Sequence, residues 1–262
     1  MNKYISLSRY ELKTIIRDPF HMFLCAFPFI LLFISVYLFP ALMSSMEQDS
    51  AELKYTTLII LMILVTFGTF ITGAMGSFML LEHKDERTLN TISVTPVGAS
   101  GYLMFKLTYI YLLSVVSILV ILVGTKLLAS DAYAIGGVSL LDNIGSLHIL
   151  TYALVMGLFA PSLALLQSAF ARNKVEGYAL VKGTGTAAMI PLVMIMDAFM
   201  DGTQYILGIF PNFWSLKGFM LTLLPNNSTS NLSYTLYLII GALYSLVLLL
   251  VCYKLFLKKV SY

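Results

Sequence analysis

The sequence predicts an all-α polytopic membrane protein with six transmembrane helices, and three observations carry the prediction. Of 262 residues, 59% are hydrophobic and only 11% charged, with a mean hydropathy of +0.88. Soluble domains run at about 45–50% apolar and about 25% charged. The apolar residues also gather in six blocks of roughly 20 or more, each long enough to cross a hydrocarbon core of about 30 Å. Finally, the basic residues divide unequally between the two sides. With both termini in the cytoplasm, only Lys54, Lys126 and Lys217 of the 16 Lys and Arg fall outside, an asymmetry that sets orientation by the positive-inside rule.

Residues 1–19 read as an interfacial helix. Ile5, Leu12 and Ile16 share a narrow arc flanked by Ile15 and Tyr4, while Lys3, Glu11, Lys13 and Arg17 point elsewhere. Asp18-Pro19 ends this helix, because a residue before proline is pushed out of the α region. No cleavable signal peptide is expected, since a charge-rich stretch precedes the first apolar block and no small-residue cleavage site follows it. The spans are expected at 20–43, 55–81, 103–128, 147–171, 178–200 and 232–257, with Pro28, Pro161 and Pro191 inside the first, fourth and fifth. In span two, Thr69/Gly73 and Thr72/Gly76 are small-xxx-small pairs that let another helix approach closely. Residues 201–231 are too apolar for a solvated loop and too broken, by Pro211 and Gly218, for a span. They read as outer re-entrant helices before the last span, with Trp214 at the headgroup level. Asn226, Asn227 and Asn231 begin outer sequons that matter only in a secretory-pathway host. Cys25 and Cys252 lie in apolar blocks and read as packing residues.

Several function classes are excluded by what is missing. The chain contains no GxxxxGK[ST], so it has no P-loop of its own, and no HExxH, GxSxG or Cys/His cluster. No catalytic residue, metal site or cofactor is expected in this chain, which reads as a transporter subunit and not an enzyme. His21, His83 and His148 are isolated interface residues. A stand-alone secondary transporter would bury ionisable groups or show inverted repeats. Here Asp197 is the only carboxylate within a span, near its outer end. The energy must enter from elsewhere. The densest charge lies in residues 82–102, where Glu82, Lys84, Asp85, Glu86 and Arg87 sit between two spans on the cytoplasmic side.

From Glu82 that segment reads EHKDERTLNTISVTP, and Lys106 enters span three. It resembles the cytoplasmic coupling region of ABC-transporter permeases of the type-two export family, in its drug-export-like form. Three further stretches resemble the family in the right order. Ile16–Pro19 is similar to its connecting helix, Arg172–Gly177 to its short second cytoplasmic turn, and Ile209–Trp214 to its outer segment before the last span. Arg87 departs from the pattern, where many members carry glycine, and adds a charge to the contact surface.

The resemblance implies that the whole chain is one permease domain. Two such subunits would pair, as a homodimer or paralogous heterodimer, and each would dock on a separate ABC ATP-binding subunit that holds ATP and Mg. Docking would fall to Glu82, Asp85, Glu86, Arg87, Thr88, Leu89, Ile92, Thr95 and Pro96. The residues agree with this: Leu89 and Ile92 share one face of a short helix that Pro96 stops, an apolar knob rimmed by charge. Partner closure would move this coupling helix as a rigid body with spans two and three. The path should follow the dimer seam along spans two and five, past Phe67, Phe70, Met75, Phe78, Met189, Met194 and Phe199. Aromatic and methionine side chains suit bulky amphipathic molecules. The implied function is ATP-driven export of a hydrophobic or amphipathic compound (drug, antibiotic or small peptide) across a bacterial plasma membrane. Export of lipid-linked polysaccharide or an ion by the same architecture, and a stand-alone secondary transporter, are the alternatives. Nucleic acid is not expected as a partner.

Overall fold

The computed structural model describes residues 9, 13, 15–46, 50–86, 98–135, 137–196, 199, 202–224 and 232–260. The protein is an all-α polytopic membrane protein. Among the described residues, six helices are long and apolar enough to cross a membrane: Pro19–Met43, Glu52–Asp85, Gly98–Tyr133, Ser146–Phe170, Lys174–Ile195 and Tyr234–Lys258. They are spans one to six below. With six crossings, the start of span one and the end of span six lie at one end of the bundle, here the terminal end; the other is the distal end. Leu12 and the residues before Arg9 lie outside the described residues, as do Asp197, Met200 and the three sequon asparagines. Of the interfacial arc, Ile15 is buried beside Leu24, Met75 and Met79, while Ile16 is 70% exposed. The neighbour expected at the edge of the arc is therefore the one that faces the protein.

Asp18 does more than stop the preceding helix. Its carboxylate accepts the Phe20 N–H at 2.9 Å and pairs with His21, with Pro19 opening span one behind it. Burial pushes the Asp18 carboxyl up, but these partners outweigh it and hold it below its ordinary value. This is an N-cap in the usual chemistry.

Span one runs through Pro28 without breaking but turns to π-helix over Ile34–Leu38. The cause lies at Pro40. The Phe39 N–H reaches back to the Ile34 carbonyl, and Pro40 has no N–H to offer the next carbonyl, Ser35. A buried tyrosine fills the gap: the Tyr133 hydroxyl donates to the Ser35 carbonyl at 2.8 Å. The Ser35 hydroxyl meets Thr125 of span three at 2.6 Å. Just beyond Tyr133, a two-stranded antiparallel hairpin pairs Ala134 with Ser139 and Ile135 with Val138. Gly137 there adopts φ 76°, a left-handed conformation that suits glycine.

Span two is the centre of the bundle. In its most apolar stretch 78% of residues are buried, against 22% in spans one and five. Its glycines let span four in: a Cβ on Gly73 would lie 3.0 Å from the Ala160 carbonyl oxygen, and one on Gly76 3.1 Å from the Ala164 Cβ. Span four itself breaks at Leu158, between helices Ser146–Gly157 and Phe159–Phe170, because Pro161 cannot donate to the Gly157 carbonyl. Span five is α-helical only to Met189, and Ile190–Ile195 continues as 3-10 helix around Pro191.

The outer region forms a 3-10 helix over Gly202–Ile209 and an α-helix over Pro211–Leu223, the outer helix. This helix is a core element: Phe213, Leu216, Phe219 and Leu223 are buried, and Tyr152 of span four stacks on Phe219 with centroids 4.6 Å apart. Trp214 is half-buried, donating its indole N–H to the Gly208 carbonyl at 3.0 Å. Lys217, counted among the outer cations, is likewise buried in the fold, without a hydrogen-bond partner. Burial pushes its amine down to about 8.

Candidate functional site

At the terminal end, span two carries its helix through Glu82, His83, Lys84 and Asp85 and ends at Glu86. Of these, Glu82, Asp85 and Glu86 were expected among the docking residues. Glu82, His83, Lys84 and Asp85 bind the ends of neighbouring spans. The Lys174 amine, at the start of span five, lies 3.0 Å from Glu82, and the Lys174 backbone N–H donates to Asp85 at 3.1 Å. Lys84 donates to the Ala171 and Ser168 carbonyls at 2.7 and 3.3 Å. Those are orphan carbonyls at the C-terminus of span four, where a cation is favoured. His83 meets the Tyr102 hydroxyl of span three at 2.6 Å, and the Lys106 amine sits 5.6 Å from the Tyr102 ring centre. Ser100 in turn meets the Tyr253 hydroxyl of span six at 2.6 Å. Spans two to six are thus linked through side chains at this one end.

The turn before span five is built for the same purpose. Asn173 caps the helix by accepting the Glu176 N–H at 2.9 Å, and Glu176 accepts the Arg172 N–H at 2.8 Å. This resembles a capping box, with Glu176 reaching one residue beyond the N-cap. Its N-x-x-E pattern was present in the sequence and would have started the helix at Lys174 rather than Tyr178. Gly177 admits Leu81 of span two, since a Cβ there would meet the Leu81 side chain at 2.5 Å. Eight residues on, a Cβ on Gly185 would lie 2.9 Å from the Phe70 ring. Spans two and five therefore pack on one another as a pair, joined by charge at the end.

Of the expected docking residues, Glu82 is half-buried and committed to Lys174, and Asp85 is exposed but bonded to the same residue's backbone. Glu86 is exposed. Arg87, Thr88, Leu89, Ile92, Thr95 and Pro96, and with them the coupling helix, lie outside the described residues.

The expected path residues divide. Phe70, Met75, Phe78 and Met194 are buried in the subunit. Span one and span five cover those of span two: Phe78 lies 5.4 Å from the Phe20 ring and 4.6 Å from Tyr178, and the Met75 sulfur lies 3.7 Å from the Cys25 sulfur. Met189 and Phe199 are half-buried. Only Phe67 belongs to the outward strip of span two, which recurs every four residues at Tyr55, Ile59, Ile63 and Phe67. Four-residue spacing is the signal that separates these residues from their buried neighbours. At the distal end of that strip, Tyr55 and Ile59 face Leu192, Val193, Ile195 and Met196 of span five across an apolar groove of about 500 Å³. The outward face of span five below it carries Lys182, Gly183 and Thr186.

A sequence model of the family described as Fluoroquinolones export permease protein Rv2686c-like matches residues 11–253 of the chain. Two curated relatives are similar: the fluoroquinolones export permease proteins MT2760 and Rv2686c, from Mycobacterium tuberculosis strains CDC 1551 / Oshkosh and ATCC 25618 / H37Rv. Each is 27% identical over 206 residues, covering 78% of this chain and 73% of the relative. No solved structure matches.

Proposed function

The chain belongs to the Fluoroquinolones export permease protein Rv2686c-like family, and on that premise we propose that it is the membrane subunit of an ATP-driven drug exporter in a bacterial plasma membrane. One observation carries the mechanism. The helix leading into the charged segment is tied through Glu82 and Asp85 to Lys174, so spans two and five share one end. A push on residues 87–97 would reach both spans together.

In this reading the terminal end faces the cytoplasm, and a separate ABC ATP-binding subunit, holding ATP and Mg, docks on Glu86 and the Arg87–Pro96 segment. Leu89 and Ile92 supply the apolar contact. A second permease subunit covers the outward faces of spans two and five. An exposed lysine beside a glycine and a threonine on a span is costly against lipid, which supports a protein or aqueous neighbour for Lys182, Gly183 and Thr186. The cargo then moves along the Tyr55–Phe67 strip and the groove above it, whose size falls within the range of about 300–1,000 Å³ usual for small-molecule sites. The names of the relatives favour an aromatic amphipathic drug, fluoroquinolones first.

The test is ATP hydrolysis by the reconstituted complex of this chain with its ATP-binding partner, with and without a fluoroquinolone. Stimulation by the drug is expected, with loss of both stimulation and co-purification in Leu89→Asp. Unchanged docking and stimulated hydrolysis in Leu89→Asp would remove the coupling role.

A further inference from the structure

By sequence Cys25 is a packing residue and His21 an isolated interface residue. The fold sets both on one face of span one, against two methionines of span two. The two spans run antiparallel, and three approaches fix their register. The Phe20 and Phe78 rings lie 5.4 Å apart, the Cys25 and Met75 sulfurs 3.7 Å apart, and a Cβ on Gly68 would lie 3.7 Å from the Leu31 side chain. That register sets Met79 level with His21, one turn from Met75 on the same face of span two. Leu24, between His21 and Cys25 on their face, packs with Met75 and Met79 in one buried cluster.

His21 is 4% exposed, and its two ring nitrogens differ in their surroundings. Nδ1 pairs with the Asp18 carboxylate, three residues back toward the terminal end. Nε2 is buried and has no hydrogen-bond partner among the described residues. The two nitrogens of an imidazole point nearly opposite ways, so Nε2 is turned away from Asp18 and into the bundle. A carboxylate that holds the proton on one nitrogen and leaves the other as a lone pair is the usual support of a metal-binding histidine. The sulfur spacing fits the same chemistry. Two sulfurs that share one tetrahedral d10 ion at about 2.3 Å each stand about 3.8 Å apart. The Cys25 and Met75 sulfurs are separated by 3.7 Å.

The geometry points to a site for one soft monovalent cation, Cu(I) or its analogue Ag(I), held by Cys25, Met75, Met79 and His21 Nε2 between spans one and two. Among the described residues no three His, Cys, Asp or Glu gather to hold a metal. The donors here include two thioethers, which select a soft ion. Charge makes the same choice. Binding releases the Cys25 thiol proton to water as the ion enters, so one cation replaces another and the charge of the site is unchanged. A zinc ion would leave one positive charge buried without compensation. No open pocket is needed, because the sulfurs already stand at ligand spacing. Entry is short: Cys25 is half-buried, and His21 lies within one turn of the start of span one. The site needs neither the outward strip of span two nor an ATP-binding partner.

Its test is anaerobic Cu(I) titration of the full chain in lipid nanodiscs against bicinchoninate, a chromophoric Cu(I) chelator. Cys252→Ser serves as the background, leaving Cys25 as the only thiol. One Cu(I) per chain, held against the chelator, is expected, and X-ray absorption should find sulfur and one nitrogen on the ion. With Ag(I), NMR of methyl-labelled methionine should shift the Met75 and Met79 signals among the 14 methionines. Cys25→Ser should abolish binding. Asp18→Asn keeps an N-cap residue but gives His21 a weaker partner, and should weaken binding about tenfold. Met79→Leu, of similar shape, should weaken binding and remove one shifted methyl, so it decides the matter if Cys25→Ser does not fold. Failure to hold Cu(I) against the chelator overturns the site, as does binding unchanged in either Cys25→Ser or Met79→Leu. An ion bound with no nitrogen and no shifted methionine belongs to the Cys25 thiol alone and overturns it as well.

Discussion

The two ends of the bundle are held together by different chemistry. At the terminal end, regular α-helix runs to the last turn, and charged or hydroxyl side chains reach from one span to the next: Lys174 to Glu82, Lys84 to the end of span four, Tyr102 to His83, Ser100 to Tyr253. Toward the distal end, prolines interrupt the helices, and the carbonyls they orphan are taken up by buried side chains, Ser35 by Tyr133 and Ala188 by Asn212. The links of the first end are partly exposed and individually weak; the second end depends on buried bonds whose loss leaves a polar group unsatisfied. Mutations should therefore separate the two. Distal changes should move stability, and terminal changes should move coupling.

The largest expected shift comes from Lys217→Met. Folding holds the Lys217 amine at about 8 instead of its ordinary 10.5, so at pH 7 the fold carries the burden of a buried charge. Removing that charge should stabilise the subunit by roughly 3 kcal/mol, read as a higher unfolding midpoint in detergent. The sign also fixes the pH profile. Between about 8 and 10.5 the unfolded chain binds more protons than the folded one, so wild-type stability should rise across that window. The Met variant should lose that rise. A wild-type profile that is flat or falling there would contradict a buried, unpaired amine.

Tyr133→Phe comes next. It leaves the Ser35 carbonyl without its donor and should cost about 2 kcal/mol, while drug-stimulated ATP hydrolysis per folded complex stays near wild type. If hydrolysis falls in step with stability, the distal end is not merely structural and the contrast between the ends weakens.

Lys174→Met should change stability least, by about 0.5 kcal/mol, because its ion pair is partly exposed. It should nonetheless uncouple hydrolysis from transport, and the exchange Glu82→Lys with Lys174→Glu should restore part of the coupling. Full coupling in Lys174→Met would mean that spans two and five move together through Gly177 and Gly185 packing alone.

The sequence was most legible where composition and spacing act on their own. Six apolar blocks became six spans, and Thr69/Gly73 and Thr72/Gly76 marked a close helix contact that proved to be with span four. Pro191 was placed inside a span expected to run to Met200, but regular helix in span five ends before it, at Met189. The site was less legible. Glu82, Asp85 and Lys84 were visible as charges, but charge in a sequence does not say whether its partner is another protein or the next span. Lys174 lies 92 positions from Glu82, and no local pattern joins them. Phe70, Met75 and Phe78 were the right residue types for a drug path, yet span one and span five cover them.

Local rules therefore determined the class of the protein and its number of spans, and marked prolines at which helices can break. Bilayer thickness sets helix length, and a missing proline N–H acts within one turn. The tertiary structure alone decided which face of span two looks outward and which side chains fill the carbonyls that the prolines orphan. It also decided that Lys217, an outer cation by its place in the chain, lies inside the fold. Each of these depends on which helices are neighbours, and that is settled by packing between residues far apart in sequence.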